Sequence, residues 1–143
     1  RDAVRRAYLA LIEGRLTPAS DIIDAPIARA LPSIILRRVA PAGKPARTHY
    51  ETVASDGRYS LLRLTLETGR THQIRVHLAH LGHPLLGDDL YGGNTDEIAR
   101  HALHAARLSL RLPHTGELLT VASPLPKDMA PIAGTRSPVS SSR

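Results

Sequence analysis

The sequence contains no cysteine, no tryptophan and no phenylalanine, and Met129 is its single methionine. The absence of cysteine excludes disulfides and thiolate metal sites, and it is compatible with the cytoplasmic localisation that we expect. With only 3% aromatic residues, the core has to be built from leucine, isoleucine, valine and alanine. No apolar run is long enough to predict a membrane span, and no signal peptide is recognisable.

Positive charge is the strongest feature of the composition. The 143 residues carry a formal net charge of +6, and the pI is about 10.5. A basic surface attracts polyanions, and nucleic acid is the first candidate partner; an arginine-rich surface without a specific partner is the alternative. The length fits one domain. Because the chain begins at Arg1, we expect this end to be a cut within a longer protein.

Apolar and alternating runs predict a sheet. The clearest strand is at residues 59–67, where leucines at every second position alternate with polar residues. Further strands are predicted at residues 1–13, 21–24, 34–39, 47–54, 107–112 and 118–123, with a short helix as the alternative for the first. The strands at residues 34–39, 47–54 and 59–67 predict an antiparallel meander. Residues 96–105 are predicted to be helical, residues 113–117 to form a hairpin turn, and residues 134–143 to be a disordered tail.

The stretch at residues 67–92 holds most of the groups able to do chemistry: two arginines, four histidines and paired aspartates. Thr71 is placed to cap a helix from residue 72 to about residue 81, which Gly82 and Pro84 would end. Ile74, Leu78 and Leu81 recur at helical spacing and predict its apolar face, with Arg75 about 100° away around the axis.

A metal centre is one interpretation of this stretch. Its candidate ligands are His72, His77, His80, His83, Asp88 and Asp89. Only His77 and His80 have the i, i+3 spacing of helical ligands, whereas His72 and His77 diverge and His83 follows the helix-ending glycine. The spacing therefore argues against a metal, and a metal-dependent hydrolase is the weakest of the functional hypotheses.

A phosphate-binding turn is a second interpretation. Gly69, Arg70 and Thr71 would present backbone N–H groups, a guanidinium and a hydroxyl at a helix start. Such turns are common and usually only solvated, so this signal is weak without its basic surroundings.

A third interpretation makes Arg75 the partner of a buried carboxylate. The planar guanidinium can pair with both oxygens of a carboxylate and remains charged at all relevant pH values. An exposed helix arginine is the alternative.

The string TGRTHQIRVHLAHLGHPLLGDDLYGG (residues 68–93) resembles the signature of the RluA family of pseudouridine synthases almost position by position. The resemblance extends over nearly the whole chain. It includes YLALIEG, IDAPI and GKPARTHY in the first half, and residues 103–105, 113–117 and 124–126 in the second. It implies an α+β fold, with a mixed, mostly antiparallel sheet and flanking helices, and makes residues 1–133 a partial catalytic domain.

The resemblance also implies a reaction. Enzymes of this family convert uridine to pseudouridine in ribosomal or transfer RNA, and they need no metal and no organic cofactor. The uracil is detached from the ribose, turned and rejoined through its carbon 5, which requires the nucleotide to be flipped out of its helix. RNA is therefore the expected partner, and no membrane is involved.

Residue roles follow from matching the motif. Arg75 corresponds to the arginine that pairs with the catalytic aspartate, and Tyr8 to the active-site tyrosine that stacks on the base. Leu103 corresponds to an apolar residue of the uracil pocket. Arg70, His72 and Gln73 are expected to hold the turn or to contact RNA.

The catalytic aspartate of this family lies in a segment like His-Arg-Leu-Asp, and no such segment occurs in the 143 residues. We therefore expect the carboxylate that Arg75 holds to lie outside them, and the polypeptide alone to be inactive. A homologue that binds RNA without modifying it is the alternative. Unpaired strand edges left by a missing half would favour a dimer or poor stability.

Overall fold

The computed structural model describes residues 4–30, 36–111, 118–122, 126–134 and 137–138. These residues form an α+β fold, as the resemblance implied. The strands are β1 (Val4–Glu13), β2 (Ser20–Asp24), β3 (Ile27–Arg29), β4 (Arg37–Val39), β5 (Arg47–Ser55), β6 (Tyr59–Leu66), β7 (Leu103–Arg111), β8 (Leu118–Ala122) and β9 (Ser137–Pro138), and the helices are α1 (Gln73–His80) and α2 (Ala130–Gly134).

The main sheet has the strand order β2-β5-β6-β1-β7-β8, with β9 pairing on β5, and all its pairings in the described residues are antiparallel. The first strand of the chain thus lies in the middle of the sheet, between β6 and β7. Of the predicted meander, the β5–β6 hairpin is confirmed, but β4 pairs with β3 and β2 takes the place beside β5. The short β3 and β4 form a separate two-stranded sheet.

Most predicted strands are confirmed, and β1 is a strand and not the alternative helix. Ser137 and Pro138 pair with the end of β5, so these two residues belong to the sheet and not to a disordered tail. Gly134 ends α2, and the rest of the predicted tail lies outside the described residues. The predicted hairpin turn at residues 113–117 also lies outside them, although the flanking β7 and β8 pair as a hairpin would.

Two apolar clusters cover the two faces of the sheet. One cluster joins alternate residues of β1 and β6 to Ile74 and Leu78 of α1. The other joins Leu11 and Tyr59 to Met129 and Ile132 at α2. Because successive residues of a strand point to opposite faces, β1 contributes Ala10 and Ile12 to the first cluster and Leu11 to the second. Helix α1 and the residues it carries therefore lie on the face of Ala10 and Ile12.

The predicted helix at residues 96–105 is wrong. Residues 96–102 are irregular, and β7 begins at Leu103. The backbone of Ala102 forms hydrogen bonds with two distant segments of the chain: its N–H donates to the Leu86 carbonyl, and its carbonyl accepts from the Leu11 N–H. These long-range hydrogen bonds override the local helical preference of an alanine-rich segment.

Helix α1 is confirmed, but two details of it were predicted wrongly. Its N-cap is His72, in the left-handed conformation at φ 56° and without a side-chain cap bond, and not Thr71. Leu81 is 39% exposed and does not extend the apolar face, which instead includes Val76 and the polar His77. This buried face is wider than predicted because the polar side chains of Gln73 and His77 are buried by hydrogen bonds to Thr48.

Candidate active site

Arg75 and Asp88 form the central ion pair of the site. Nε of Arg75 donates to Oδ2 of Asp88 at 3.0 Å, and Nη2 donates to Oδ1 at 2.9 Å. The Asp88 side chain is completely buried, whereas that of Arg75 retains 16% exposure. The hydrogen bonds to Asp88 raise the pKa of Arg75 further above its ordinary value, so the guanidinium stays charged.

The catalytic aspartate that we expect outside the 143 residues stays a prediction, but Arg75 already holds one carboxylate within them, that of Asp88. The third interpretation of Arg75, as the partner of a buried carboxylate, is confirmed with Asp88 as the partner. Sequence reasoning did not pair Asp88 with Arg75, because the two lie thirteen positions apart and only the path of the loop brings them together. The available signal was the pair of glycines, Gly87 and Gly93, around the aspartates.

The backbone on either side of Asp88 is fixed by the sheet and by close packing. The Leu86 N–H donates to the Leu11 carbonyl, so the loop continues the sheet beside β1. A Cβ on Gly87 would lie 2.0 Å from the Arg100 carbonyl oxygen, and one on Gly93 would lie 2.0 Å from that of Leu85. Both positions require glycine, because no side chain tolerates such approaches to backbone. Asp88 is thus delivered to Arg75 by a loop with little freedom.

Tyr91 covers the other side of Arg75. Its ring centroid lies 5.2 Å from the guanidinium carbon, within the range of a cation–π contact. The Tyr91 hydroxyl accepts the Arg37 N–H at 3.1 Å and lies 2.6 Å from Nδ1 of His72. The two aromatic rings meet edge to face at 5.6 Å. Tyr91 therefore connects three elements: α1, the Asp88 loop and β4.

Two histidines near the pair are held neutral. Burial, reinforced by the charge of Arg75, lowers the pKa of both His72 and His101. A neutral His72 can accept the Tyr91 hydroxyl proton at Nδ1. His101 feels the charges of Arg75 and Asp88 and directly precedes the segment entering β7. Sequence reasoning gave no role to His101 or Tyr91, since a wrongly predicted helix covered the first and a loop the second.

Tyr8 and Leu103 are brought together on the α1 side of the sheet. Tyr8 lies opposite Ala105 and Ala10 lies opposite Leu103, so Tyr8 and Leu103 are diagonal neighbours on one face. Both are half-buried and pack against the cluster that contains Ile74. The register shifts between Ala7 and Tyr8, an irregularity that often re-aims a side chain beside a functional site. The Tyr8 hydroxyl has no hydrogen-bond partner within the described residues.

Gln73 holds the turn before α1. Its Oε1 accepts from the Arg70 N–H at 2.9 Å and from the Thr68 hydroxyl at 2.7 Å. Its Nε2 donates to the Arg47 carbonyl at 2.9 Å and to the Thr48 hydroxyl at 3.0 Å. All four hydrogen-bonding positions of the amide are used and the side chain is buried, so of its two expected roles the geometry supports holding the turn.

The row of hydrogen bonds that starts at Gln73 continues below α1 through Thr48 and His77. The Thr48 hydroxyl lies 2.8 Å from Nδ1 of His77, and Nε2 lies 2.8 Å from the Ala25 carbonyl. A carbonyl only accepts, so Nε2 carries the proton and Nδ1 accepts from Thr48. Burial lowers the pKa of His77, consistent with a neutral ring. His77 is structural.

Arg70 uses only part of its guanidinium for contacts within the described residues. Its Nε donates to the Pro45 carbonyl at 2.7 Å, which ties the turn to the segment before β5, and its two terminal nitrogens have no partner among the described residues.

The histidines do not converge on one point. His72 bonds to Tyr91, His77 to Thr48 and Ala25, and Nδ1 of His83 donates to the Glu13 carbonyl at 2.9 Å. Across the described ranges, no group of three or more His, Asp or Glu side chains is arranged to hold a metal ion. In the same part of the chain, no helix has the length and apolarity needed to cross a membrane.

The fold and the site together define a pseudouridylate synthase domain. The solved structure of human RNA Pseudouridylate Synthase Domain Containing 1 superimposes with a TM-score of 0.78 at 30% identity, over 96% of this chain and 60% of that one. Human RNA Pseudouridylate Synthase Domain Containing 4 shares the fold, with a TM-score of 0.68.

The family model of RNA pseudouridylate synthase matches residues 1–80, so the chain belongs to this family. An uncharacterised RNA pseudouridine synthase of Bacillus subtilis, YjbO, is 48% identical over 127 residues, which are 89% of this chain and 45% of that protein. Ribosomal large subunit pseudouridine synthase D of Nitrosomonas europaea is 46% identical over 136 residues, 89% of this chain and 39% of its own length. The resemblance to the RluA family is confirmed, and the chain spans less than half of these two relatives.

Proposed function

We propose that this chain forms the arginine and tyrosine side of the active site of an RNA pseudouridine synthase, which isomerises uridine to pseudouridine in ribosomal or transfer RNA. The observation that carries the proposal is the way Arg75 is held. A guanidinium has five N–H donors, and Asp88 uses one on Nε and one on Nη2. Three donors, two on Nη1 and one on Nη2, have no partner within the described part of the chain.

Two of these donors, one on Nη1 and one on Nη2, form the end-on edge of the guanidinium. That edge has the geometry to pair with a second carboxylate through two parallel hydrogen bonds. The catalytic aspartate of the family motif is the carboxylate that fits this role, supplied by a His-Arg-Leu-Asp segment outside these 143 residues. Arg75 would keep it ionised and oriented, while Asp88 holds Arg75.

Tyr8 and Leu103 would form the base-binding wall. A half-buried tyrosine ring with an unpaired hydroxyl offers a flat face for the flipped uracil and a polar tip at its edge. Stacking of a base on an aromatic ring contributes roughly 1–3 kcal/mol. Leu103, diagonal to Tyr8, extends the apolar surface beside it.

The test is a chimera in which this chain replaces the matching part of pseudouridine synthase D of Nitrosomonas europaea, which supplies the upstream segment. Release of tritium from 5-tritiated uridine in RNA measures the reaction. We expect release by the chimera, loss of release with Arg75→Ala, and none from the 143-residue chain alone. Release by the chain alone, lost with Arg75→Ala, would show that no outside aspartate is needed.

A non-catalytic RNA-binding protein is the second candidate. It is favoured by the Arg75–Asp88 pair itself, since an arginine already neutralised within the chain can be purely structural. A folded chimera that binds RNA but releases no tritium would support this candidate over the enzyme.

RNA is the proposed partner, and the cytoplasm is the proposed compartment. We also propose that the 143-residue chain self-associates through its sheet edges, because β2 and β8 end the strand order in the described residues. Sedimentation at several concentrations tests this proposal: a dimer is expected, and a monomer at all concentrations would contradict it.

A further inference from the structure

Tyr91 is the residue at which the Asp88 loop, α1 and the β3–β4 hairpin meet. Its backbone N–H donates to the Asp88 carbonyl at 3.2 Å, which fixes it one turn beyond the aspartate. Its half-buried ring packs against a small apolar cluster formed by Ile27, Ala46 and Val76. No step of the proposed reaction uses Tyr91 directly, although its ring lies against the arginine on which that reaction depends.

The two hydrogen bonds from Asp88 do not by themselves fix the orientation of Arg75. They hold one edge of the guanidinium, through Nε and Nη2. Because hydrogen bonds to carboxylate oxygens tolerate a broad range of directions, the guanidinium plane can still tilt about that edge. The end-on edge, which is to meet the catalytic carboxylate, moves with every tilt. A further contact is therefore required to hold it.

The Tyr91 ring provides this contact. The guanidinium carbon of Arg75 lies over the ring, 5.2 Å from its centroid. At this distance the negative face of the π-system attracts the cation. Asp88 thus holds one edge of the guanidinium, and the ring attracts the cation as a whole.

The Tyr91 ring is itself fixed by its hydroxyl. The hydroxyl accepts from the Arg37 N–H at 3.1 Å and donates to Nδ1 of His72 at 2.6 Å. The first partner is backbone of β4, and the second is the N-cap residue of α1. The ring therefore cannot turn or withdraw from Arg75 without breaking one of these hydrogen bonds.

His72 holds the hydroxyl at the expense of the helix it begins. An N-cap side chain ordinarily accepts from a backbone N–H of the first turn, but His72 makes no such bond and contacts Tyr91 instead. Its φ of 56° is in the left-handed region, and it is the one non-glycine residue with a positive φ in the described part of the chain. Strained residues of this kind cluster at functional sites, where the surrounding structure holds them in place.

We propose that Tyr91 is a positioning residue for the isomerisation. Its ring holds Arg75 so that the end-on edge faces the catalytic carboxylate, and its hydroxyl holds the ring. His72 acts one step further away, as the acceptor that fixes the hydroxyl. The inference rests on the proposed function and deepens it, since Tyr91 acts on the reaction only through Arg75.

The first test reads the arginine directly in the 143-residue chain. The Nε–H of a firmly held guanidinium exchanges slowly with water, and its NMR resonance is assigned by its loss in Arg75→Lys. Tyr91→Phe removes only the hydroxyl and is expected to speed this exchange several-fold, and Tyr91→Leu, which also removes the ring, should speed it further. Tyr50→Phe is the matched control, because it removes a hydroxyl that donates to the Pro18 carbonyl at 2.7 Å, and it should leave the exchange unchanged.

Two substitutions of His72 separate its hydrogen bond from its backbone strain. Asparagine and glycine both tolerate the left-handed conformation, but only asparagine offers an acceptor close to the position of Nδ1. His72→Gly is therefore expected to speed the Arg75 exchange as Tyr91→Phe does, whereas His72→Asn should remain near the wild type. Equal exchange in the two variants would overturn the role of His72.

The second test distinguishes positioning from a purely structural role, in the chimera with the Nitrosomonas europaea enzyme. A misplaced arginine impairs the reacting arrangement more than RNA binding, so Tyr91→Phe should lower kcat for tritium release several-fold with little change in KM. Tyr50→Phe should change neither. A Tyr91→Phe chimera with the kcat of the wild type, or a Tyr91→Phe chain whose Nε–H exchanges no faster than that of Tyr50→Phe, overturns the inference.

The outcomes keep this inference apart from the proposed function. A chimera of wild-type sequence that releases no tritium contradicts the proposed function. The exchange of the Arg75 Nε–H still decides in that case whether Tyr91 holds the arginine.

Discussion

Asp88 accepts hydrogen bonds from Nε and Nη2 of Arg75, which form the side-on edge of the guanidinium. The end-on edge has no partner in the described residues. This relationship gives the two residues different roles. The Asp88 side chain is completely buried, so its role is to position Arg75. The Arg75 side chain retains some exposure, and it has N–H donors left for another group. An arginine held in this way can bind a second carboxylate without moving.

Replacing Asp88 with asparagine is expected to destabilise the chain by about 3 kcal/mol, because breaking a buried ion pair leaves a charge without compensation. Denaturant unfolding measures the loss. Asp89→Asn is the matched control, since the side chain of Asp89 is adjacent in sequence but exposed. This substitution should change stability by less than about 0.5 kcal/mol. Equal effects of the two substitutions would mean that the ion pair contributes no special stability.

Gly93→Ala is expected to lower the melting temperature strongly. The new Cβ would lie 2.0 Å from the Leu85 carbonyl oxygen, so the backbone that carries Asp88 has to shift. Gly69→Ala is the control, because a Cβ there meets no atom within 4 Å. A Gly93→Ala protein as stable as Gly69→Ala would contradict the close packing of the Asp88 loop.

Thr48 and Thr52 are buried on β5, two alternations apart on the same face, and are expected to respond oppositely to valine. The Thr48 hydroxyl links Gln73 to His77. Thr48→Val therefore removes one hydrogen bond from each and leaves Nδ1 of His77 and one N–H of Gln73 unpaired, which should cost about 1–3 kcal/mol. The Thr52 hydroxyl has no hydrogen-bond partner among the residues that the structure describes, so Thr52→Val should be neutral or stabilising. Thermal unfolding of both variants measures the difference. A larger loss of stability in Thr52→Val than in Thr48→Val would refute the role of the Gln73–Thr48–His77 hydrogen bonds.

Stability is expected to fall as the pH drops through about 6.5. Burial lowers the pKa of His72, His77 and His101 in the folded chain, so the unfolded state binds more protons in this range. The contribution of these histidines is fully present above their unfolded pKa and is lost as the pH approaches their lower folded pKa.

Unfolding measured from pH 7.5 to pH 5 tests this dependence. His77→Gln should flatten the curve, although it also lowers stability at neutral pH because Thr48 and Ala25 lose their partner. A slope that His77→Gln does not alter would place the titration elsewhere.

Local patterns were sufficient for most of the strands and for α1. The alternation of residues 59–67 predicts β6, and Gly82 marks the end of the helix. Patterns were insufficient where distant backbone decides the structure. Residues 96–105 favour a helix by composition, yet hydrogen bonds from Ala102 to Leu11 and Leu86 hold the segment extended.

The site shows the same division. The motif resemblance selects Arg75 and Tyr8 without any knowledge of contacts. It does not provide Asp88 or His101, because their proximity to Arg75 depends on the path of a loop around the end of β1.

The most direct measurement is tritium release by the chimera carrying Asp88→Asn, beside the same chimera carrying Asp89→Asn. It is made at a temperature where circular dichroism shows both to be folded. If Asp88 positions Arg75 for catalysis, Asp88→Asn should slow release on the order of 100-fold, and Asp89→Asn should leave it unchanged. Equal rates for the two folded variants would contradict the account.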